Sequence, residues 1–264
     1  MLVLIKGAGD LATGVAVRLA RAGFGVAMTD LPHPTAVRRT VSFCEAIPEG
    51  EMMVEGIRAR RAADAAEALC VLQAGGVPVI PDPEARCLEM LKPFALVDAI
   101  LAKRNTGTSI QDALVVVALG PGFAAGVDCH AVVETMRGHD LGRVLLSGSA
   151  LPNTGVPGEI GGYALERLLR SPADGIFHPL ESIGDLVQAG EAVAEVAGVP
   201  VVARISGVLR GLLREGTPVR RGMKSGDVDP RCEVRHCFTV SDKARSIGGG
   251  ALEAILMLGG ILRG

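Results

Sequence analysis

The sequence predicts an α/β protein: a mostly parallel sheet flanked by helices, followed by a smaller all-β domain. Three observations carry that prediction. Over the first half, short apolar runs alternate with helical periodicities, the pattern of crossover units that build parallel sheets. The run 113–119 is apolar throughout, as a strand covered on both faces requires. From residue 171 the helical spacing ceases, and short apolar runs punctuated by glycine take over. With 48% hydrophobic and 21% charged residues over 264 positions, the chain has ample apolar content for a folded core.

Taken in order, residues 2–5 form a short apolar strand that ends at Gly7. Apolar residues then recur at 11, 12, 15, 16, 19 and 20, a helical spacing, and Gly23 closes that helix. Residues 26–29 read as a second strand, ending at Asp30. A helix over 62–74 stops at Gly75-Gly76 and leads into a strand over 77–80. A helix over 84–91 stops at Pro93 and leads into a strand over 94–101. The strand at 113–119 ends at Gly120-Pro121-Gly122, 144–146 adds another strand, and 160–169 reads as a helix. The stretch 241–262 is a loop and a helix capped by Ser241 or Ser246. The expected boundaries are a cofactor-binding α/β domain at 1–170, an all-β domain at 171–240 and a C-terminal loop and helix at 241–264.

Several function classes are excluded early. Aromatic residues make up only 3%, too few for a stacking platform for single-stranded nucleic acid. A formal net charge of −2 gives no whole-chain field for nucleic acid or anionic membranes. No segment reaches the roughly 18 apolar residues of a membrane span. The N-terminus has no basic leader region and runs straight into a glycine motif, which argues against a signal peptide. The six cysteines (44, 70, 87, 129, 232 and 237) contain no C-x-x-C pair, as expected of a reduced, cytoplasmic chain. Cys232, His236 and Cys237 lack the second pair that a closed zinc site needs, so no metal site is expected.

Lys6-Gly7-Ala8-Gly9-Asp10-Leu11-Ala12 places a G-x-G-x-x-A pattern between the first strand and the first helix, a Rossmann-like arrangement. Gly7 permits the tight turn, Gly9 lets a pyrophosphate approach backbone N–H groups, and the small Ala12 lets the helix pack on the sheet. Asp30 ends the second strand, where an acid accepts from a ribose hydroxyl. The pattern points to a nucleotide or dinucleotide; the competing reading is a loop that merely turns. Asp10 repels a pyrophosphate unless it caps the helix, binds a metal or faces away. Arg38 and Arg39 suit a 2′-phosphate or a solvated turn. Lys103 and Asn105 follow a strand end, where ligands of open α/β sheets bind, or belong to a basic surface loop. Cys44 gains a low-pKa setting if Arg38 and Arg39 fold close to it, and is otherwise a buried free thiol.

The second half contains an internal repeat. Gly175, Gly184, Val187 and Gly190 match Gly207, Gly216, Val219 and Gly222 at one constant offset, so a hairpin-rich unit is used twice. This G-D-x-V-x-x-G repeat is similar to the lipoyl/biotinyl family, the barrel-sandwich hybrids. In carriers of that family a modified lysine sits at a hairpin tip. Here the tip falls at Ala197-Gly198-Val199 and no lysine lies between 173 and 223, so a swinging-arm carrier is not expected. The first copy is acidic and residues 204–224 are basic, which suits a protein partner, an anionic ligand or two solvated faces.

Long motifs carry one further resemblance: KGAGDLATGVAVRLARAGF (6–24), PTAVRRTVSFCEA (34–46), VDAILAKRNTGT (97–108), ALGPGFAAGVD (118–128), VVETMRGHDLGRV (132–144), GSALPNTGVPG (148–158), KSGDVDPR (224–231) and CFTVSDKARSIGGGALEAIL (237–256). They resemble YqeB-type accessory proteins of selenium-dependent molybdenum hydroxylases, more distantly the XdhC-type chaperones. The resemblance implies a maturation role acting on the molybdenum cofactor or its delivery. The implied partners are the hydroxylase or its maturation machinery, with self-association left open. It marks Gly7–Ala12, Asp30, Arg38, Arg39, Cys44, Lys103, Asn105 and 224–231 as candidates without assigning their roles. The glycine loop then suits NAD(P) or a molybdopterin dinucleotide, and Cys44 is the candidate nucleophile for selenide or sulfide. An NAD(P)-dependent oxidoreductase and a non-catalytic scaffold remain the alternatives.

Overall fold

The structure, a computed structural model, describes residues 1–261. The chain forms two compact units. One comprises Met1–Pro34, Ser42–Asn153 and Val240–Gly264, the other Thr35–Val41 and Thr154–Thr239.

The first unit opens with β1 (Leu2–Lys6), α1 (Asp10–Arg21) and β2 (Gly25–Thr29), then α2 (Ala46–Glu49) and a hairpin of β3 (Glu51–Val54) and β4 (Ile57–Arg61). It continues through α3 (Ala65–Gln73), β5 (Val77–Ile80), α4 (Leu88–Leu91) and β6 (Ala95–Asp98). The remaining elements are β7 (Val115–Leu119), β8 (Ala131–Val133), β9 (Val144–Leu145) and α5 (Asp242–Leu258). All nine strands share one sheet in the order β3-β4-β5-β2-β1-β6-β7-β8-β9. Its seven inner strands, from β4 to β8, are parallel, and the outermost strands β3 and β9 run antiparallel to their neighbours. β1 is buried beyond its first residue, and β5, β6 and β7 are buried throughout, as central strands covered on both faces must be.

Local chemistry starts and stops the helices. Asp64 caps α3 by accepting from Glu67 N, and Glu67 Oε2 accepts from Ala63 N, one residue ahead of the cap. Ser241 Oγ accepts from Ala244 N and opens α5. Gly23, with φ at +90°, ends the turn after α1. α5 packs on α1 through missing side chains. A Cβ on Gly14 would lie 2.6 Å from Ala244 Cβ, and one on Gly248 would lie 2.9 Å from Gly14 O and 3.3 Å from Arg18 Cβ. The contacts advance together along both chains, so α1 and α5 run in the same direction and start at the same end.

The second unit contains β10 (Leu168–Arg170), β11 (Gly175–Pro179), β12 (Leu186–Val187), β13 (Ala192–Val196), β14 (Val199–Val202), β15 (Gly207–Leu212), β16 (Pro218–Val219) and β17 (Lys224–Asp229). They form two four-stranded sheets, β10-β17-β15-β12 and β14-β13-β11-β16. Phe177, Val193, Val196, Leu209, Leu212 and Val228 belong to their shared core. The repeat is visible in the pairing: β11 of the first copy pairs with β16 of the second, and β12 pairs with β15. Val187 and Val219 are both buried, and Gly184, Gly190, Gly216 and Gly222 all take positive φ.

The expected fold class needs correction. A Rossmann-like sheet joined to a lipoyl-like barrel-sandwich hybrid does not describe what folds. The first sheet is a large mixed one, extended at one edge by the β3–β4 hairpin and closed at the other by antiparallel β9. The hairpin escaped notice because its turn is Glu55-Gly56, with Glu55 in the left-handed region at φ 49°, rather than an Asn-Gly or Asp-Gly turn. The expected helix at 160–169 is absent: Gly161 and Gly162 both take positive φ, and Leu168–Arg170 is strand β10. The helix at 84–91 shrinks to Leu88–Leu91, because Ala85 sits at φ 53° and Asp82 accepts from Cys87 N instead.

The division of the chain also differs from the expected 1–170, 171–240 and 241–264. The second unit begins at Thr154 and recruits 35–41, whose Val37 O accepts from Leu212 N of β15. The C-terminal helix belongs to the first unit rather than standing apart. Positions 262–264 of the expected tail lie outside the described residues. No helix among the described residues is long and apolar enough to cross a membrane.

Candidate functional site

In the first unit the ends of β1, β2, β6 and β8 gather buried polar groups at the carboxyl edge of the sheet, where open α/β sheets hold their ligands. Gly7, at φ 95°, donates its N–H to Thr29 O at 2.8 Å. A Cβ there would lie 2.9 Å from Ala99 O, so the chain itself requires this glycine. Gly9 is different. It caps α1 at φ −69° without a side-chain cap, and a Cβ on it would meet nothing within 4 Å. Neither backbone conformation nor packing demands glycine there, and the space above it is open. Asp10 is the first helical residue rather than the cap, and Ala12 is buried in α1.

Asp30 ties the loop to β2. Its Oδ2 accepts from Ala8 N and its Oδ1 from Leu31 N, both at 2.7 Å. Burial raises its carboxyl pKa, against the lowering effect of those two bonds. The expected ribose acceptor is therefore already a structural clamp, and one amide that an anion would use is taken. Ala8 O accepts from Cys44 N at 2.9 Å, and Thr13 Oγ1 accepts from Phe43 N at 2.8 Å, so residues 43–44 are stitched onto the glycine loop.

Cys44 does reach the loop, but its setting is the reverse of the expected one. The thiol is buried, and burial pushes its pKa far up. The charges that reach it, on Asp30, Glu45 and Asp10, are all acidic and raise it further. Arg38 and Arg39 belong to the second unit, where Arg38 donates to His236 O and Thr239 O and Arg39 to Leu212 O. Proximity in sequence to Cys44 was a poor guide, because the chain changes units between Val41 and Ser42.

Lys103 and Asn105 lie in the loop after β6. Asn105 shapes that loop: its Oδ1 accepts from Gly107 N and Thr108 N, and its Nδ2 donates to Thr108 O. Lys103 sits at φ 62° with its side chain exposed. The buried groups of this loop are others. Lys6 Nζ donates to Thr108 Oγ1 at 2.7 Å, Thr108 Oγ1 donates to Asp98 Oδ2 at 2.5 Å, and Lys6 Nζ stands 3.7 Å from the same oxygen. All three residues are buried, so an ion pair bridged by a hydroxyl locks the loop to β1 and β6.

Two further residues escaped sequence reasoning. Glu134, at the end of β8, is buried and accepts from the N–H groups of Thr135, Met136 and Leu151. Lys243 lies in the first turn of α5, beside the start of α1. Burial, then the charge of Arg137, lowers its pKa, while Asp10, Glu134 and Asp242 pull the other way. A lysine at a helix start has no sequence signature, and only the packing of α5 on α1 brings it to Asp10. Among the described residues no group of three or more His, Cys, Asp or Glu side chains forms a metal-holding cluster.

These features define an α/β protein with a glycine loop and buried polar groups at its sheet edge, together with an all-β unit built on a repeat. The chain is 52% identical over 257 residues, 97% of its length, to a protein of Escherichia coli (strain K12) described as uncharacterized protein YqeB. The YqeB-type resemblance carried by the motifs is thereby shown, although the chain spans about half (48%) of that relative's length. No protein-family model matches. Among solved structures, an aspartoacylase family protein from Mesorhizobium loti is similar over 86% of this chain and 84% of its own, at 13% identity and a TM-score of 0.28. A succinylglutamate desuccinylase from Silicibacter sp. TM1040 covers the same shares at 16% identity and 0.25. Likeness at that level says nothing of activity.

Proposed function

We propose that the chain acts in an accessory protein that matures selenium-dependent molybdenum hydroxylases, and that its first unit holds a dinucleotide, nicotinamide or molybdopterin, at the glycine loop. The observation that carries this reading is Gly9: nothing in the chain needs a glycine there, and a closely approaching phosphate would. The uncapped first turn of α1 supplies N–H donors and the positive end of the helix dipole. Lys243 offsets Asp10, whose carboxylate opposes an anion. Asp98, Thr108 and Lys6 hold the neighbouring loop in place while a ligand is bound. The YqeB-type resemblance supplies the hydroxylase context.

The test is ligand-induced stabilisation. A ligand at one hundred times its Kd raises stability by about 2.7 kcal/mol. We expect NAD, NADP or a molybdopterin dinucleotide to raise the melting temperature of the wild-type chain. Gly9→Leu should fold, since a Cβ there meets nothing within 4 Å and its φ of −69° suits any residue, and lose that shift. No shift with any of them, or an equal shift in Gly9→Leu, overturns the reading. In cells, loss of the chain should lower the selenium content of the hydroxylase.

A further inference from the structure

The second unit carries a buried charge layer that the glycine loop does not use. Ser225, Asp227 and Asp229 alternate along β17, onto the face opposite the core residue Val228, and their exposures are 0%, 3% and 0%. On the adjacent β15 the register shifts between Leu209 and Gly211, so Arg210 is the extra residue of a bulge and reaches the same carboxylates. Arg167, just ahead of β10, donates to Asp227 Oδ2 at 2.8 Å. Arg38 lies close enough that its charge, after burial, helps to lower the pKa of Arg210. This layer gathers the 224–231 motif and Arg38 of the 34–46 motif, for which the glycine loop gave no role.

The pairing within it is uneven. Asp227 is held by Arg167, and Asp229 by Arg231 at 2.6 Å. Arg210, only 6% exposed, stands 3.6 Å from Asp229 and 3.9 Å from Asp227, and its Nε has no hydrogen-bond partner among the described residues. The Nε atoms of Arg167 and Arg210, Ser225 Oγ and Asp227 Oδ1 are buried without partners. Burying a guanidinium without matched acceptors is costly, and such orphaned atoms in a native fold call for something that satisfies them. Three of the four can donate and one only accepts. The complement is a small anion with several acceptor oxygens and one O–H.

We propose that this layer is a binding site for a free protonated oxyanion of the phosphate class, held by Arg210, Arg167 and Ser225, with Asp227 Oδ1 accepting its O–H. Guanidinium groups match tetrahedral oxyanions in geometry and charge. The half-exposed Arg231 marks where the layer meets solvent. The proposal is independent of the glycine-loop reading.

Equilibrium dialysis of the full chain against inorganic phosphate, at pH 7 and constant ionic strength, tests it. We expect saturable binding that survives Gly9→Leu and weakens about tenfold or more in Arg210→Met. Arg210→Lys, which keeps the charge, should retain part of the affinity. Sulfate carries no O–H at this pH and should bind about tenfold or more weakly, because it faces Asp227 Oδ1 without a donor. Absence of saturable phosphate binding, unchanged binding in Arg210→Met, or equal binding of sulfate overturns the proposal. Should Arg210→Met fail to fold, the preference of the wild-type chain for phosphate over sulfate decides.

Discussion

At the scale of single residues, burial decides which groups are reactive. Cys87 and Cys129 are pushed up to about 12 and about 11 by burial, with Asp82 and Asp128 adding to it, and Cys44 is raised further by its acidic neighbours. Cys70 and Cys232 are exposed. A thiol reagent at neutral pH should therefore modify Cys70 and Cys232 in the native chain and spare the other four until unfolding, which mass spectrometry of the labelled chain checks. Early modification of Cys44 would mean that its acidic, buried setting opens in solution. Asp229 titrates in the opposite sense. Its burial alone would raise it, but the hydrogen bonds and charge of Arg231, with Arg210, hold it at about 2. A carboxyl whose folded pKa is depressed stabilises above its unfolded value, near 3.8, and that gain is lost as the pH falls towards 2. The difference is worth roughly 2 kcal/mol at neutral pH. Acid melts of the wild type should lose this increment between pH 4 and 2, and those of Asp229→Asn should not.

At the scale of elements, the contact between α1 and α5 depends on the absence of side chains. Gly14→Ala would set a methyl group 2.6 Å from Ala244 Cβ and force the helices apart. Overpacking of this kind costs about 1–3 kcal/mol. Gly250→Ala meets the backbone carbonyl of Gly142, which has no flexible end to give way, and should cost more. Gly249→Ala is the control, since nothing lies within 4 Å of its Cβ and alanine is the better helix former. Denaturant melts of the three variants give the ranking, and equal stabilities would sink the packing argument. Loss of the α5 cap in Ser241→Ala should cost about 1 kcal/mol by the same measurement.

At the scale of the whole molecule, each unit is assembled from segments distant in sequence. α5 returns to the first unit after the whole of the all-β unit, and buries Ile247 and Ile255 completely. Those two side chains alone are worth roughly 3–6 kcal/mol, a large share of the stability of a typical domain. A chain ending at Thr239 should therefore lose cooperative unfolding of the first unit, seen as loss of its helical circular-dichroism transition. Retention of that transition would show that α5 is dispensable.

The sequence by itself determined what short-range chemistry can encode. The strands at 2–5, 26–29, 77–80 and 113–119, the glycine loop, a cap at Ser241 or Ser246 and the offset repeat all follow from spacing and turn residues within a few positions of one another. The YqeB-type resemblance was likewise written in continuous motifs. Tertiary structure alone decided the mixed edges of the large sheet, the split of 34–46 between units, and the company that charged residues keep. Cys44 and Arg38 are neighbours in sequence, yet one lies among acids in the first unit and the other joins the charge layer of the second. Lys243 meets Asp10, and Arg210 meets Asp227 and Asp229, only through packing. Pairing, burial and electrostatic fields depend on which distant segments share a core, and no local pattern carries that information.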